Sequence, residues 1–205
     1  MKKTLILKST ITGDLSHSNK LVDLFLSKWL EHSSPETITE RDIIKSPLSV
    51  VDDEIYQAYY SVQPEHMTDK QRNAISLSNT LIQEIKDNDI IVITAPMYNF
   101  SIPNQLKNYF DLIIRNGLTF SYTKTGKTGL ITNKKALILS TSGGIYTTGE
   151  NDFSIPYLKT LLAFIGINSV DTVTIDGIAI EPEKLEEKYQ LAKMDINDFL
   201  NNLNS

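Results

Sequence analysis

The sequence predicts a doubly wound α/β fold: a five-stranded parallel sheet in the order 2-1-3-4-5, with helices on both faces. Two observations predict it. Apolar, β-rich runs alternate with longer stretches whose apolar residues recur at helical spacing, the pattern of successive strand–crossover–strand units. The run Ile90-Ile91-Val92-Ile93 is apolar on both faces, as a central parallel strand covered by two helical layers must be.

The first strand is Thr4–Lys8. Met1-Lys2-Lys3 imitates the basic end of a secretory leader. Lys8, however, ends the apolar stretch after Leu5-Ile6-Leu7, short of the roughly 7–15 residues a leader needs. A strand of an intracellular, cytoplasmic protein is expected instead. Asn19–Leu30 carries Leu21, Leu24, Phe25 and Trp29 at helical spacing, with Trp29 a core residue. Thr37–Asp42 alternates like a short edge strand. From Pro47 to Asp69 we expect a long connection with a short helix around Asp52–Tyr60. Ile75, Leu81, Ile82 and Ile85 mark a second long helix, and the central strand follows at Ile90–Ile93. A third helix spans Asn104–Ile114, the fourth strand Ala136–Leu139, and a further helix Tyr157–Ile165. Val170–Ile175 is the fifth strand and Glu183–Leu200 a closing helix. Residues 116–134 are long for a helix-to-strand connection. Leu118, Phe120 and Tyr122 alternate there ahead of Thr125-Gly126 and Thr128-Gly129, as in a small hairpin or flap, and loops of this length often act as lids. No repeat, linker or low-complexity tract interrupts the pattern, so residues 1–205 are expected to form one domain.

Composition narrows the function. Of 205 residues, 40% are hydrophobic and 22% charged, which suits a soluble globular domain able to bury roughly 70% of its unfolded surface without a disulfide or metal staple. The absence of cysteine excludes disulfides, thiolate zinc and cysteine nucleophiles. A net charge of −5 argues against nucleic-acid binding, and no apolar run approaches the ~18 residues of a membrane span. His17, His32 and His66 are scattered, so no metal site is expected, and His32 and His66 are expected at the surface. No GxSxG elbow supports a hydrolase, no GxGxxG a dinucleotide site of that type, and no GxxxxGK[ST] a P-loop. The interleaved charges of Glu181–Asp198 read as a solvated helix face.

In an open parallel sheet, ligands bind at the carboxyl ends of the strands near the point where strand order reverses. Three loops there are chemically unusual. Ser9–Asn19 carries five hydroxyls ahead of the first helix, with no Lys or Arg between Lys8 and Lys20. Such a loop is either a neutral anion site at a helix N-terminus or an ordinary cap made by Ser16 or Ser18. Ala95–Pro103 sets Met97, Tyr98, Asn99 and Phe100 after the central strand, which suits a heteroaromatic ring or, alternatively, a buried hydrophobic corner. Thr141-Ser142-Gly143-Gly144 offers close backbone approach to a ligand, or a plain turn.

The opening strand with Ser9–Asn19, the segment APMYNFSIPNQLKNYFDLIIRNGLTFSYT, and the shorter STSGGIY and PYLKTLLAFIGI together resemble the FMN-dependent NADH-azoreductase family of flavodoxin-like quinone reductases. Ala95–Asp111 is the most diagnostic part. The resemblance implies a flavodoxin-like, FMN-binding domain, reduced by NADH or NADPH and passing two electrons to quinones or azo compounds. It also implies a homodimer with each flavin near the subunit interface. Phosphate and ribityl contacts would fall on Thr10, Ser16, His17 and Ser18. Isoalloxazine contacts would fall on Met97, Tyr98, Asn99 and Phe100, and on Thr141, Ser142, Gly143 and Gly144. Phe100, Tyr122 and Phe164 resemble the aromatics of the family's substrate slot. Thr10 stands where a serine is usual, His17 where glutamine is common, and Ser142 where arginine is frequent. No catalytic acid or base is required, because the flavin carries the chemistry. The lack of a basic cluster favours NADH over NADPH. A flavodoxin-like electron carrier without its own NAD(P)H site is the alternative, and NADH bleaching of the flavin discriminates the two.

Overall fold

The computed structural model describes residues 2–124, 126–146 and 151–203. Seven strands form: β1 (Thr4–Lys8), β2 (Ile38–Asp42), β3 (Ile90–Pro96), β4 (Phe120–Thr123), β5 (Gly126–Gly129), β6 (Lys135–Thr141) and β7 (Ser169–Ile175). Five of them make one parallel sheet in the order β2-β1-β3-β6-β7, the expected 2-1-3-4-5 once the hairpin strands are set aside. The helices are α1 (His17–Trp29), α2 (Asp53–Tyr60), α3 (Asp69–Asp87), α4 (Asn104–Ile113), α5 (Ser154–Ile165) and α6 (Leu185–Asn201). Among the described residues no helix is long and apolar enough to cross a membrane.

The alternation of side chains along each strand divides the core into two layers. On one face, Leu21, Val22, Phe25 and Trp29 of α1 and Ala192, Ile196 and Phe199 of α6 pack onto Ile6, Val92, Leu137, Leu139 and Val173. On the other, α3, α4 and α5 bring Leu81, Ile85, Leu106, Phe110, Leu158 and Leu162 onto Leu5, Leu7, Ile91, Ile93 and Ile138. Trp29 is buried as expected and its indole N–H donates to Thr37 Oγ1 at 2.9 Å.

Several boundaries move, each for a local reason. Helix α1 begins two residues earlier than the apolar spacing indicates, because Ser16 Oγ accepts the amide of Asn19 at 3.1 Å and caps it. Helix α5 begins at Ser154 rather than Tyr157, where the Asp152 carboxylate accepts the amides of Ser154 and Ile155 at 3.0 and 3.1 Å. β3 and β6 both run past their apolar segments, to Pro96 and Thr141, paired with each other throughout. Thr37 belongs to a short 3-10 turn, so β2 starts at Ile38.

The long connection at 116–134 does hold a hairpin, β4–β5, although Thr125 lies outside the described residues. Its base is held by a close backbone approach. A Cβ on Gly129 would stand 2.3 Å from the amide nitrogen of Gly166, the left-handed residue (φ 111°) that ends α5. Only glycine fits at Gly129.

Candidate functional site

The carboxyl ends of β1, β3 and β6 converge, and hydrogen bonds stitch the three loops that leave them. The Ser9 amide donates to Thr94 Oγ1 at 2.7 Å, and its hydroxyl donates to the Thr94 carbonyl, joining β1 to β3. The Tyr98 hydroxyl reaches the first loop, where it accepts the amide of Ile11 and bonds the Thr10 hydroxyl, both at 3.2 Å. Ser18 Oγ and Thr141 Oγ1 lie 2.7 Å apart, tying α1 to β6. The Met97 amide donates to the Thr141 carbonyl at 2.8 Å, closing the ring of contacts.

Within the first loop, Thr10 and Ser16 are buried, His17 is half-buried and Ser18 is fully buried. Ser16 caps α1; the hydroxyl of Ser18 is engaged with Thr141, so Ser18 braces the loop from below. Among the described residues the amides of Thr10, Thr12, Gly13 and His17 donate to no protein acceptor. Helix α1 has no acidic residue in its first turn. Unpaired N–H groups at the positive end of a 13-residue helix form a cradle for an anion that needs no lysine. Of the flanking cations, Lys8 is paired with Glu40 at 3.0 Å.

The second loop is strained. Asn99 and Phe100 have φ of 51° and 65°, the left-handed region, inside a two-residue turn closed by reciprocal bonds between Tyr98 and Ser101. Asn is a favoured first residue of such a turn and glycine the favoured second, so Asn99 fits its place while the bulky Phe100 costs energy and marks a site worth explaining. The strain holds the Phe100 ring outward, 52% exposed and edge-on to Tyr146 at 5.8 Å. Beside this turn opens a largely apolar cleft of about 830 Å³, lined by Ile11, Tyr98, Asn99, Ile102, Pro103, Lys107, Phe153 and Tyr157.

In the third loop Thr141 and Ser142 are buried and Gly143 is exposed. Ser142 Oγ donates to the Gly144 carbonyl at 2.8 Å, and the carbonyls of Ser142, Gly143 and Gly144 accept from Ile178, Ala179 and Gly177. The strand-ward carbonyls are thereby used up, while the amides of Gly143 and Gly144 have no acceptor among the described residues. Amides without an acceptor can bond the edge of a polar ring.

All twelve residues expected to hold a cofactor therefore lie on these three joined loops. The three expected substrate aromatics do not gather within one chain. Phe100 stands at the second loop; Tyr122 and Phe164 belong to a separate cluster, each ring edge-on to Phe120 at 5.5 and 4.7 Å, with the Lys127 ammonium 4.4 Å from the Phe164 ring centre. Tyr122 is 70% exposed. His32 and His66 are exposed, as expected. Missed from the sequence were Phe153 and Tyr157, which wall the cleft from α5, and Tyr189 of α6, whose hydroxyl lies 2.8 Å from His17 Nδ1. Burial first, then the nearby Lys20 ammonium, pushes the His17 imidazole below its ordinary value and keeps it neutral near pH 7.

Comparison with known proteins gives concordant results. The family model Flavodoxin_2, described as a flavodoxin-like fold, matches residues 2–200. The FMN-dependent NADH:quinone oxidoreductase of Escherichia coli (strain K12) is 45% identical over 202 residues, 98% of this chain and 99% of that protein. The protein of the same description from Photorhabdus laumondii is 42% identical over 193 residues, 94% and 96% of the two chains. An azoreductase crystal structure from Bacillus anthracis str. Sterne superposes with a TM-score of 0.89 at 27% identity, covering 98% of this chain and 100% of that one. The FMN-dependent NADH-azoreductase of Bacillus anthracis str. Ames Ancestor, solved in complex with FMN, superposes at 0.85 with 28% identity, covering 97% and 99%.

Proposed function

The chain belongs to the Flavodoxin_2 family of flavodoxin-like proteins, and from that premise we propose that it passes two electrons from NADH to quinones, and to azo compounds, by a ping-pong sequence. It is an oxidoreductase, and its cofactor is FMN. The observation that carries this reading is the neutral cradle at the start of α1, which fits a phosphate monoester, joined by hydrogen bonds to two loops whose open amides and outward aromatic fit a flat ring.

In this reading Thr10, Ser16, His17 and Ser18 build the phosphate and ribityl end, by hydroxyl, amide or support. Met97, Tyr98, Asn99 and Phe100 with Thr141, Ser142, Gly143 and Gly144 build the ring end, as one FMN-binding domain over residues 1–205. Bound there, FMN would supply the two-electron chemistry that links the nicotinamide to the acceptor. The chain binds, orients and excludes water. The apolar cleft beside Phe100 admits a planar ligand by stacking, which demands few particular hydrogen bonds and suits both nicotinamide and quinone. Among the described residues Lys107 is the one cation lining the cleft, and it is ion-paired with Asp111, which favours NADH over NADPH as the donor. A cytoplasmic setting fits the use of NADH.

A homodimer completes the slot. Tyr122 and Phe164 lie apart from the Phe100 turn within one chain, and Tyr122 stands exposed on a hairpin, as an apolar side chain does when a partner covers it. A second copy would set this cluster over the cleft.

The deciding experiment adds NADH anaerobically to the purified protein. Bleaching of the flavin without a partner reductase is expected, and FMN, not FAD, is expected on release by denaturation. A bound flavin that NADH leaves oxidised would make the protein an electron carrier. Sedimentation of an active monomer at assay concentration would remove the dimer.

A further inference from the structure

His17 has one ring partner among the described residues, and it comes from the far end of the chain. Nδ1 lies 2.8 Å from the Tyr189 hydroxyl, and the two rings stack with centroids 6.2 Å apart and planes 22° apart. Nε2 has no protein partner among the described residues. The imidazole is neutral near pH 7, so it carries a single proton that must sit on one nitrogen or the other. The Tyr189 phenol decides between them. Burial, and then the Glu186 carboxylate, keep that phenol protonated well past neutrality, and its O–H has no other acceptor among the described residues. With the proton on Nδ1, that N–H would donate to the phenol oxygen and the phenol proton would have to turn to solvent. With the proton on Nε2, the phenol donates to the Nδ1 lone pair and both groups are satisfied.

We propose that Tyr189 fixes His17 in the Nε2–H tautomer, so that Nε2 presents its N–H to the phosphate held in the first loop. Tyr189 is thereby a positioning residue, acting through His17 on a ligand it does not touch. The inference rests on the reading of that loop as the FMN phosphate site. It also gives a physical role to the histidine that stands where an amide is common in the resembling family: held this way, the ring offers one fixed N–H, as an amide side chain does.

The test uses the FMN-loaded protein with 15N-labelled histidine, in which protonated and unprotonated ring nitrogens resonate far apart. His17 should show Nε2 protonated and Nδ1 bare both with FMN and after its removal, and Tyr189→Phe should give a tautomer mixture once FMN is removed. FMN retained on dilution, measured by ultrafiltration, should weaken about three- to tenfold in Tyr189→Phe, the scale of one neutral hydrogen bond. In a His17→Gln background, where no tautomer exists, the same Tyr189→Phe change should alter FMN affinity by less than about twofold. A proton on Nδ1 in the wild type would overturn the proposal. So would an equal loss in both backgrounds, which would mean that Tyr189 only packs α6 against α1. Failure of the wild type to hold FMN would instead defeat the cofactor reading, while the His17 spectrum would still decide the tautomer.

Discussion

The hydroxyl of Ser18, in the first turn of α1, lies 2.7 Å from that of Thr141, at the last residue of β6, and both side chains are buried. Two loops proposed to hold opposite ends of one ligand are thus joined by a contact between their own side chains. Because the same Thr141 accepts the Met97 amide through its carbonyl, all three loops meet at this residue.

Removing one partner of a buried pair leaves the other unsatisfied, at a cost of about 1–3 kcal/mol. Ser18→Ala should therefore lower the unfolding free energy by about that amount in urea titrations. Removing both hydroxyls, as Ser18→Ala with Thr141→Val, should recover part of the loss. Strictly additive losses would mean that the two residues are energetically independent. FMN should also be retained less well by Ser18→Ala, since the loop it braces carries the proposed phosphate donors.

Phe100 separates stability from function. Its backbone sits at φ 65°, where a residue with a side chain pays about 1–2 kcal/mol that glycine avoids. Its ring is half exposed and packs mainly on the edge of Tyr146. Phe100→Gly should melt at or above the wild-type temperature while kcat/KM for a benzoquinone falls. A variant that melts lower and keeps its activity would show the ring to be a structural plug.

The neutral His17 makes stability pH-dependent in a stated direction. A histidine whose folded pKa lies below its unfolded value binds protons more readily when unfolded, so its contribution is present above about pH 6.5 and is lost as pH falls toward the depressed folded value. His17→Gln should flatten that decline. Urea midpoints compared at pH 7.5 and pH 5 should fall less for the variant than for the wild type; parallel declines would assign the acid sensitivity to carboxylates.

Most of the sheet was legible because β1, β3 and β6 are apolar on both faces, a pattern with few alternative readings. The start of α1 was not, since Ser16 and Ser18 are equally good caps by type and only the Ser16 Oγ contact with the Asn19 amide separates them. The three loops could be found from the rule that ligands gather at strand carboxyl ends. The grouping of Phe100 with Tyr122 and Phe164 could not be checked that way, because it depends on which surfaces of the hairpin face which loop. Tyr189 was hidden by the charges around it on α6. Counting in turns exposes it: Leu185, Tyr189, Ala192, Ile196 and Phe199 form one stripe, and the phenol is the polar member of the face that packs toward α1.

The cleft beside Phe100 bears on the order of events. Walled by Ile11, Tyr98, Ile102, Phe153 and Tyr157, it offers aromatic faces on which a planar group can stack, and the proposed sequence has nicotinamide and quinone use those faces in turn. On that proposal NAD+ leaves before the acceptor enters, and the two electrons wait on the protein between visits. Varying NADH and a benzoquinone together should give parallel double-reciprocal lines, and either ligand in excess should inhibit competitively against the other. Azo dyes should consume two NADH per bond cleaved, because each visit delivers two electrons and complete cleavage takes four. Intersecting lines would mean that both ligands are held at once, and the single-slot sequence would then be wrong even though the enzyme remains a quinone reductase.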